Sequence, residues 1–498
     1  MHKFYLLPAI IGWSFIASLQ NTNYATANIT HSYYDTLTVI DNYLAKLSVE
    51  KGFSGGLLIV KNGVQVFNKG YGWADKENKF PFTSGTLASM GSITKAFTAA
   101  AIMKLAEQQR LSVTDPLKKF FPLIPADKAN ITIHQLLTHS SGFHEFLQND
   151  EGDYKKVEKE MFLKRAFLEP LAFQPGTKAV YTNVGMSVLA IIIEQVSGME
   201  YEQYLHKNLF EPAGIKGIGY HFPKEKIDTI AIGYQNGKSW GTHQQHFADA
   251  GGGPFWNLKG NGGLEASLND MLIWINSITR HSILSEATTK AMFTPHVQED
   301  GYNGKSFFGY GCNISLSRRN TKMIDNGGSN GIYFARLVRL PEEGLVFYMV
   351  TNESAVNTNM VLPNVTQLYF TGTIAEDAMN MQRKFESPQA KRIYDIVMMP
   401  STTDLSKELE KQKITVDDDM VLLDAGEVMI KEQHFEKALL LYRYYTTSFP
   451  NIVVAWNDMG DIYQYIGNKE EAIKSYKTAL ALRPGNPRAI ENLKKLGN

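Results

Sequence analysis

The chain has 498 residues, more than one compact domain usually contains, and its 44% hydrophobic content is enough to bury a large core. Charged residues make up only 20% of the chain, and 50 Lys and Arg balance 50 Asp and Glu, so the composition favours neither disorder nor nucleic-acid binding. The single cysteine, Cys312, cannot form an internal disulfide, and neither CxxC nor HExxH occurs. We therefore expect a folded protein of more than one domain, with no metal or organic cofactor.

The N-terminus has the pattern of an export signal. Lys3 gives a positive start, an apolar stretch runs from Phe4 to Leu19, and Ala-Thr-Ala at 25–27 is a small-x-small cleavage pattern. We expect a signal peptide over residues 1–27 and a periplasmic or secreted mature protein without a stable membrane span. Retention of the segment as an anchor is the alternative, although the stretch is short for a span of about 20 residues. No cysteine follows it, which argues against a lipoprotein anchor.

Strand patterns occur at both ends of the region between residues 53 and 350, and helical patterns occur between them. This order predicts an α+β sandwich with a helical insertion. In chain order, the predicted elements are a β-hairpin over 53–70 with the turn Lys61-Asn62-Gly63, helices from Ser92 to Gln109 and from Gly185 to Gly198, a helix beginning near Ser267, and strands over 332–340 and 345–350.

The character of the chain changes at about residue 375. Residues 375–418 are polar and rich in Met, Lys and Glu, which predicts a linker or helical bridge. A 34-residue internal repeat follows, with small residues where paired helices approach and aromatic residues that fill the gaps between them. The second copy places these positions at Trp456, Met459, Gly460, Tyr463, Ala472, Tyr476, Ala479 and Pro484, and the first at Leu422, Ala425, Gly426, Met429, Ala438, Tyr442, Tyr445 and Pro450.

This repeat resembles the tetratricopeptide (TPR) repeat. We expect two TPR repeats over residues 419–498, closed by a capping helix at Pro487–Leu496. Because two repeats are fewer than a free-standing solenoid usually needs, they should lean on the linker helices or on the preceding domain. The resemblance implies a module that binds a protein or peptide partner, and a packing appendage is the alternative.

The first residues that suggest catalysis are Ser92, as a nucleophile, and Lys95, as its base. A serine needs a base within hydrogen-bond reach, and positions i and i+3 lie on one face of a helix, so Lys95 can stand beside Ser92. The same spacing also occurs at Ser48 and Lys51, and Tyr-x-Asn occurs both at 181–183 and at 234–236. Only the copies at Ser92 and at 181–183 adjoin a predicted helix in a motif-rich context.

Several motifs in one order give the chain a resemblance to the class C β-lactamase and D-Ala-D-Ala carboxypeptidase family of serine hydrolases. They are GSITK at 91–95, LLTHSSG at 136–142, YTN at 181–183, GNGGL at 260–264 and a late glycine-rich stretch at 325–331. The resemblance runs from about Phe53 to Asn352. It implies a penicillin-binding-protein-like antiparallel sheet with helices and a helical subdomain, here over residues 28–374, followed by the all-α TPR module.

The resemblance also implies roles for individual residues. Ser92 would attack the carbonyl carbon, Lys95 and Tyr181 would share removal of its proton, and Asn183 would position the substrate amide. The backbone N–H groups of Ser92 and Ser329 would bind the oxyanion. In LLTHSSG, we expect His139 to have a structural rather than a catalytic role.

The third motif departs from the family pattern. The family has Lys or His, a small residue and Gly on an edge strand, whereas this chain has Asn326 at the basic position, followed by Gly327 and Gly328. Asn326, Gly328 and Ser329 are thus the predicted substrate-binding residues of this strand. Loss of the positive charge disfavours substrates with a terminal carboxylate, such as penicillins. The stretch also matches G-x-S-x-G, but a strand-like run instead of a helix follows it, so it is not an α/β-hydrolase elbow.

The sequence thus predicts an exported serine hydrolase that forms an acyl-enzyme on Ser92 and cleaves an ester or amide, as an esterase or a D-Ala-type peptidase. The alternative is a weak or inactive cell-wall-binding protein that recruits partners through its TPR repeats. The substitution at Asn326 favours the alternative, and the presence of Ser92, Lys95 and Tyr181 favours the enzyme.

Overall fold

The computed structural model describes residues 36–147, 152–222, 230–235, 237–302, 304–374, 388–416, 419–484 and 486–497. The expected signal peptide at 1–27 and part of the expected linker lie outside these residues. Within the described ranges, no helix combines the length and the apolar character that crossing a membrane requires.

Eight strands of the described chain form one antiparallel sheet in the order β2-β1-β14-β13-β12-β11-β10-β9, and the other strands form three small pairs, β3 with β4, β5 with β8 and β6 with β7. The strands are β1 (Gly55–Lys61), β2 (Val64–Tyr71), β3 (Trp73–Asp75), β4 (Phe80–Pro81), β5 (Ala88–Ser89), β6 (Gly233–Gln235), β7 (Lys238–Gly241), β8 (Glu265–Ala266), β9 (Val297–Gln298), β10 (Ser306–Phe308), β11 (Asn313–Leu316), β12 (Lys322–Ser329), β13 (Phe334–Leu340) and β14 (Leu345–Thr351).

Helices occupy much of the remaining chain, with short 3₁₀ turns at Gly91–Ile93 and Leu117–Lys119 and a π-helical turn at His206–Phe210. The helices are α1 (36–51), α2 (Thr94–Glu107), α3 (Ile133–Leu137), α4 (Lys159–Leu168), α5 (Asn183–Ser197), α6 (Tyr201–Leu205), α7 (Glu211–Ala213), α8 (His243–Asp249), α9 (Leu268–Thr279), α10 (Glu286–Met292), α11 (Thr358–Thr371), α12 (Pro388–Met398), α13 (Leu405–Lys411), α14 (Met420–Lys431), α15 (Phe435–Ser448), α16 (Val453–Tyr465), α17 (Lys469–Leu482) and α18 (Pro487–Lys495).

The predicted elements of the first domain are confirmed. The hairpin β1–β2 turns at Asn62 and Gly63, whose φ angles of 50° and 76° suit a two-residue turn that keeps the right-handed twist. The helix that the sequence ends at Gly198 does end there, because Gly198 takes a left-handed φ of 72°. Ser267 caps α9 by accepting a hydrogen bond from the backbone N–H of Asp270.

The sheet is covered on both faces, which explains why β1 is an unbroken apolar run instead of an alternating one. Leu58 and Val60 pack into the core shared with α2, α5 and α9. Leu57 and Ile59 face the opposite core, which α1 and α11 cover. The result is an α+β domain whose large sheet lies between two helical layers.

The C-terminal helices share a separate apolar core, and α12 and α13 contribute to it along with α14–α18. The repeat explains the packing within each helix pair. A Cβ added at Gly426 would lie 2.5 Å from the ring of Tyr442, and one added at Gly460 would lie 2.6 Å from the ring of Tyr476. These contacts are 34 residues apart. At each position only glycine fits, because an aromatic ring from the next helix occupies the space that a side chain would need.

Candidate active site

Ser92 lies in the 3₁₀ turn that leads into α2. Its neighbours hold this turn in place: the Met90 N–H donates to the Leu264 carbonyl at 2.8 Å, and the Thr94 hydroxyl donates to the Gly91 carbonyl at 2.7 Å. Gly91 and Ile93 are buried, whereas Ser92 is half-buried. Ser92 is therefore positioned at the N-terminal end of the buried helix α2, with its side chain only partly covered.

Lys95 is buried beside Ser92, as the i, i+3 spacing predicts. Its Nζ lies 3.0 Å from the Ser92 Oγ, 2.7 Å from the Oδ1 of Asn183 and 2.6 Å from the carbonyl oxygen of Asn261. Burial lowers the pKa of Lys95 to about 7, although the carboxylates of Glu145 and Asp153 act in the opposite direction. A large share of Lys95 is therefore a neutral amine near pH 7 and can accept a proton.

Tyr181 approaches Ser92 from the other side, from the segment that precedes α5. Its hydroxyl donates a hydrogen bond of 2.7 Å to the Ser92 Oγ. The Lys95 Nζ lies 4.6 Å from the centre of the Tyr181 ring. Burial raises the pKa of Tyr181 well above its ordinary value, so at rest Tyr181 is a neutral phenol.

His139 supports the segment that carries Tyr181. Its ring lies 4.9 Å from the Tyr181 ring, its Nδ1 accepts the Thr182 N–H at 3.1 Å, and its carbonyl accepts the Val180 N–H at 2.9 Å. The residue has a φ of 56°, an uncommon angle for a non-glycine residue. Burial and the Lys95 charge lower the pKa of His139 to about 3, so its ring is neutral and can accept this bond. The geometry agrees with a structural role for His139.

Asn183 and Asn261 surround the Lys95 amine. Asn183 is the first residue of α5, and its side-chain oxygen faces Lys95 rather than open space. Asn261 is not among the residues that the sequence predicts for the site, although it belongs to the GNGGL motif at 260–264. It contributes a backbone carbonyl, which every residue type carries, so no signal in the sequence could have assigned it this contact. The substrate contact expected of Asn183 stays a prediction.

Strand β12 passes directly against the turn that carries Ser92. A Cβ added at Gly91 would lie 2.4 Å from the Ser329 nitrogen, and one added at Gly328 would lie 2.8 Å from the Ser92 nitrogen. Both glycines are therefore required for the backbone of β12 to come this close. The two backbone nitrogens predicted to bind an oxyanion, those of Ser92 and Ser329, belong to these two touching segments.

Asn326 is buried on the same face of β12 as Gly328, the face that packs against the Ser92 turn. Its Nδ2 donates to the Gly311 carbonyl at 2.6 Å, and it is not among the residues that line the Ser92 cleft, so the substrate contact expected of Asn326 stays a prediction. The preceding residue, Asp325, lies on the other face of the strand and does line the cleft. Asp325 accepts two hydrogen bonds from Arg336 on β13, at 3.0 and 2.7 Å.

The second copies of the two motifs have other surroundings. Ser48 and Lys51 lie in the last turns of α1, and Lys51 is exposed. Tyr234 is buried in β6, where its hydroxyl accepts the Lys76 N–H at 2.7 Å and donates to Glu77. Asn236 lies outside the described residues. Ser48, Lys51 and Tyr234 do not line the Ser92 cleft.

The cleft around Ser92 and Tyr181 has a volume of about 700 Å³, and the start of the repeat region forms part of its wall through Asp419 and Met420. In the part of the chain that the structure describes, no group of three or more His, Cys, Asp or Glu side chains is arranged to hold a metal ion.

Comparison with known proteins agrees with this geometry. The family profile described as Beta-lactamase matches residues 40–366, and the profile described as Tetratricopeptide repeat matches residues 453–486. Putative penicillin-binding protein PbpX of Bacillus subtilis is 33% identical over 256 residues, which are 51% of this chain and 61% of PbpX. Protein flp of Staphylococcus aureus is 32% identical over 203 residues, or 40% of each chain. The chain thus spans less than two thirds of the length of each of these relatives.

Two solved structures have the same fold. The octameric penicillin-binding protein homologue from Pyrococcus abyssi superposes with a TM-score of 0.60 at 27% identity, over 72% of this chain and 82% of that one. The penicillin binding protein from Bacillus halodurans gives a TM-score of 0.55 at 25% identity, over 67% and 98%. The Beta-lactamase match covers more than half of the sequence, so the chain belongs to this penicillin-binding-protein-like family of serine hydrolases and carries a tetratricopeptide repeat near its C-terminus.

Proposed function

We propose that this chain is an exported serine hydrolase that cleaves an ester or amide through an acyl-enzyme on Ser92. The observation that carries the proposal is the position of the Ser92 Oγ, with the Lys95 amine at 3.0 Å and the Tyr181 hydroxyl at 2.7 Å. An activated serine needs a base at this distance. The export pattern at residues 1–27 supports action outside the cytoplasm.

In the acylation step, the neutral Lys95 amine takes the Ser92 proton while the Oγ attacks the carbonyl carbon. The tetrahedral oxyanion is held by the N–H groups of Ser92 and Ser329, where each such donor typically contributes a rate factor of about 10²–10³. As the intermediate collapses, Tyr181 gives its proton to the leaving oxygen or nitrogen. The phenolate that remains is stabilised by the Lys95 ammonium beside its ring.

Deacylation reverses these proton movements. The Tyr181 phenolate takes a proton from water, and the hydroxide attacks the acyl carbonyl. The Ser92 oxygen then leaves with the proton that Lys95 had stored. This step returns a neutral amine, a phenol and a free serine, so the cycle needs no other proton donor or acceptor.

The cleft favours uncharged esters or amides over substrates with a terminal carboxylate. Two cations, Lys305 and Arg336, line the cleft, and the Arg336 guanidinium, on the strand next to β12, is already bonded to Asp325 by two hydrogen bonds. A substrate carboxylate would have to compete with this pair. An esterase-like activity is therefore our first candidate, and a D-Ala-type peptidase is the second.

The test is hydrolysis of a p-nitrophenyl ester by the expected mature protein, residues 28–498, beside the Ser92→Ala variant. We expect turnover and an acyl adduct in the intact mass, and we expect both to vanish in the variant. Folded protein with neither turnover nor adduct would refute the proposal. It would favour the binding protein that recruits partners through its repeats.

A further inference from the structure

A second cavity, of about 570 Å³, lies between the hydrolase domain and the repeat region. It adjoins the Ser92 cleft, because Tyr302, Asp419 and Met420 line both. The repeat region is held at this place by Arg483, which donates to Glu145 at 2.7 Å across the boundary between the two domains. The second cavity and the catalytic cleft are therefore neighbours that share part of their walls, and half of the residues that line the second cavity come from the repeat region.

The side of the second cavity that the repeat region forms is mainly apolar. The repeat region contributes Met420, Leu423, Ile452, Val454 and Leu482, and the hydrolase domain contributes Phe143. An apolar wall beside the catalytic cleft is suited to an apolar group, because removing hydrocarbon from water is favourable and needs no directional partner.

The charged side chains around this cavity have partners within the protein. Glu145 is paired with Arg483, and Lys178 is paired with Asp300. Asp419 accepts the Tyr445 hydroxyl at 3.0 Å. Four of the five charged side chains that line the cavity are therefore in ion pairs, and a charged ligand would have to compete with one of these pairs.

We propose that the cavity between the hydrolase domain and the repeats is a substrate subsite, which takes a hydrocarbon chain of an ester cleaved at Ser92. This inference rests on the proposed hydrolase function and names its substrate class. The volume falls within the range of pockets that hold small molecules, about 300–1,000 Å³. If so, the TPR module contributes to substrate selection, because its residues line the subsite.

The chain could sit on either side of the scissile bond, and two esters separate these cases. p-Nitrophenyl octanoate carries the hydrocarbon chain on the acyl group, and octyl acetate carries it on the alcohol. p-Nitrophenyl acetate lacks the chain and reports the catalytic residues alone.

The variant that tests the subsite is Val454→Trp, which fills the cavity from a half-buried position of the repeat region. Ile466→Trp is its matched control, because Ile466 is an exposed apolar residue of the same module and does not line the cavity. We expect Val454→Trp to reduce kcat/KM at least about tenfold for either p-nitrophenyl octanoate or octyl acetate, as expected for loss of an apolar pocket. Turnover of p-nitrophenyl acetate should be unchanged, and the control should match the wild type with all three esters.

A binding measurement separates failure of the subsite from failure of the hydrolase function. We expect the Ser92→Ala protein to bind p-nitrophenyl octanoate or octyl acetate in calorimetry, and the Ser92→Ala, Val454→Trp double variant to bind the same ester much more weakly. Binding of neither long-chain ester, or equal binding by both variants, overturns the subsite whether or not the enzyme turns over. Absence of turnover of p-nitrophenyl acetate overturns the hydrolase function, and equal loss for short and long esters in Val454→Trp overturns the subsite alone.

Discussion

Substitution of two adjacent glycines of β12, Gly327 and Gly328, should have opposite effects on catalysis. A Cβ at Gly328 would lie 1.9 Å from the Met90 carbonyl oxygen and 2.8 Å from the Ser92 nitrogen, whereas one at Gly327 would meet nothing within 4 Å. Because non-bonded atoms pack best near 3.5–4.0 Å, Gly328→Ala must separate β12 from the Ser92 turn by about 1 Å or more. Gly327→Ala requires no movement.

A displacement of this size moves one oxyanion donor away from the other. Misplacement of about 1 Å can cost a hundredfold in rate, and loss of one oxyanion donor costs about 10²–10³-fold in kcat. We expect Gly328→Ala to lower kcat on p-nitrophenyl acetate by about that factor, and Gly327→Ala to leave it near the wild-type value.

The assay is steady-state hydrolysis, with a thermal melt of each variant to show that it is folded. Intact-mass detection of the acyl adduct separates slow acylation from slow deacylation. Wild-type turnover in Gly328→Ala, or an equal loss in Gly327→Ala, would contradict the close approach of β12 to Ser92.

Three further predictions follow from the buried titratable groups. Since the pKa of Lys95 is lowered to about 7, kcat/KM should rise with pH and reach half its maximum near pH 7, and a midpoint near the ordinary lysine value would contradict a neutral Lys95 base. Tyr181→Phe should keep the thermal stability but lower kcat by about 10²–10⁴-fold, and unchanged kcat would show that another group protonates the leaving atom. Burial raises the pKa of Glu265 from 4.5 to about 8, so the folded protein keeps a proton that the unfolded chain releases, and stability should fall as the pH rises through this range. In urea unfolding at about pH 5 and about pH 9, Glu265→Gln should lose less stability than the wild type, and equal losses would refute the buried neutral acid.

The secondary-structure elements that the sequence predicted correctly are those that local residue patterns determine. The hairpin at 53–70 and the helices at Ser92, Gly185 and Ser267 follow from turn residues, caps and periodicity, and the structure has all of them. The motifs also paired Ser92 with Tyr181, 89 residues away, which spacing alone could not have done. Here the resemblance to a known family supplied the long-range information.

The sequence did not predict the partners of Asn326 and Asp325 on β12. Asn326 bonds to the Gly311 carbonyl and Asp325 to Arg336, and these partners come from other segments, which the spacing within β12 cannot identify. The position of the repeats was also beyond prediction, because it depends on the Arg483–Glu145 pair between distant segments. For the same reason, the second cavity has no signature in either domain alone.

The sheet topology has a consequence for how the chain acquires its fold. Lys61 at the end of β1 donates to the carbonyl of Glu343, 282 positions later in the chain, and β1 pairs with β14 along its full length. Until β14 has been synthesised, β1 has an open, apolar edge that can pair with other chains. Topologies that depend on such distant pairs fold slowly, and their intermediates are prone to aggregate. A chaperone that protects the apolar edge of β1 during this interval would therefore increase the yield of folded protein more than one that acts on the locally folded repeat helices.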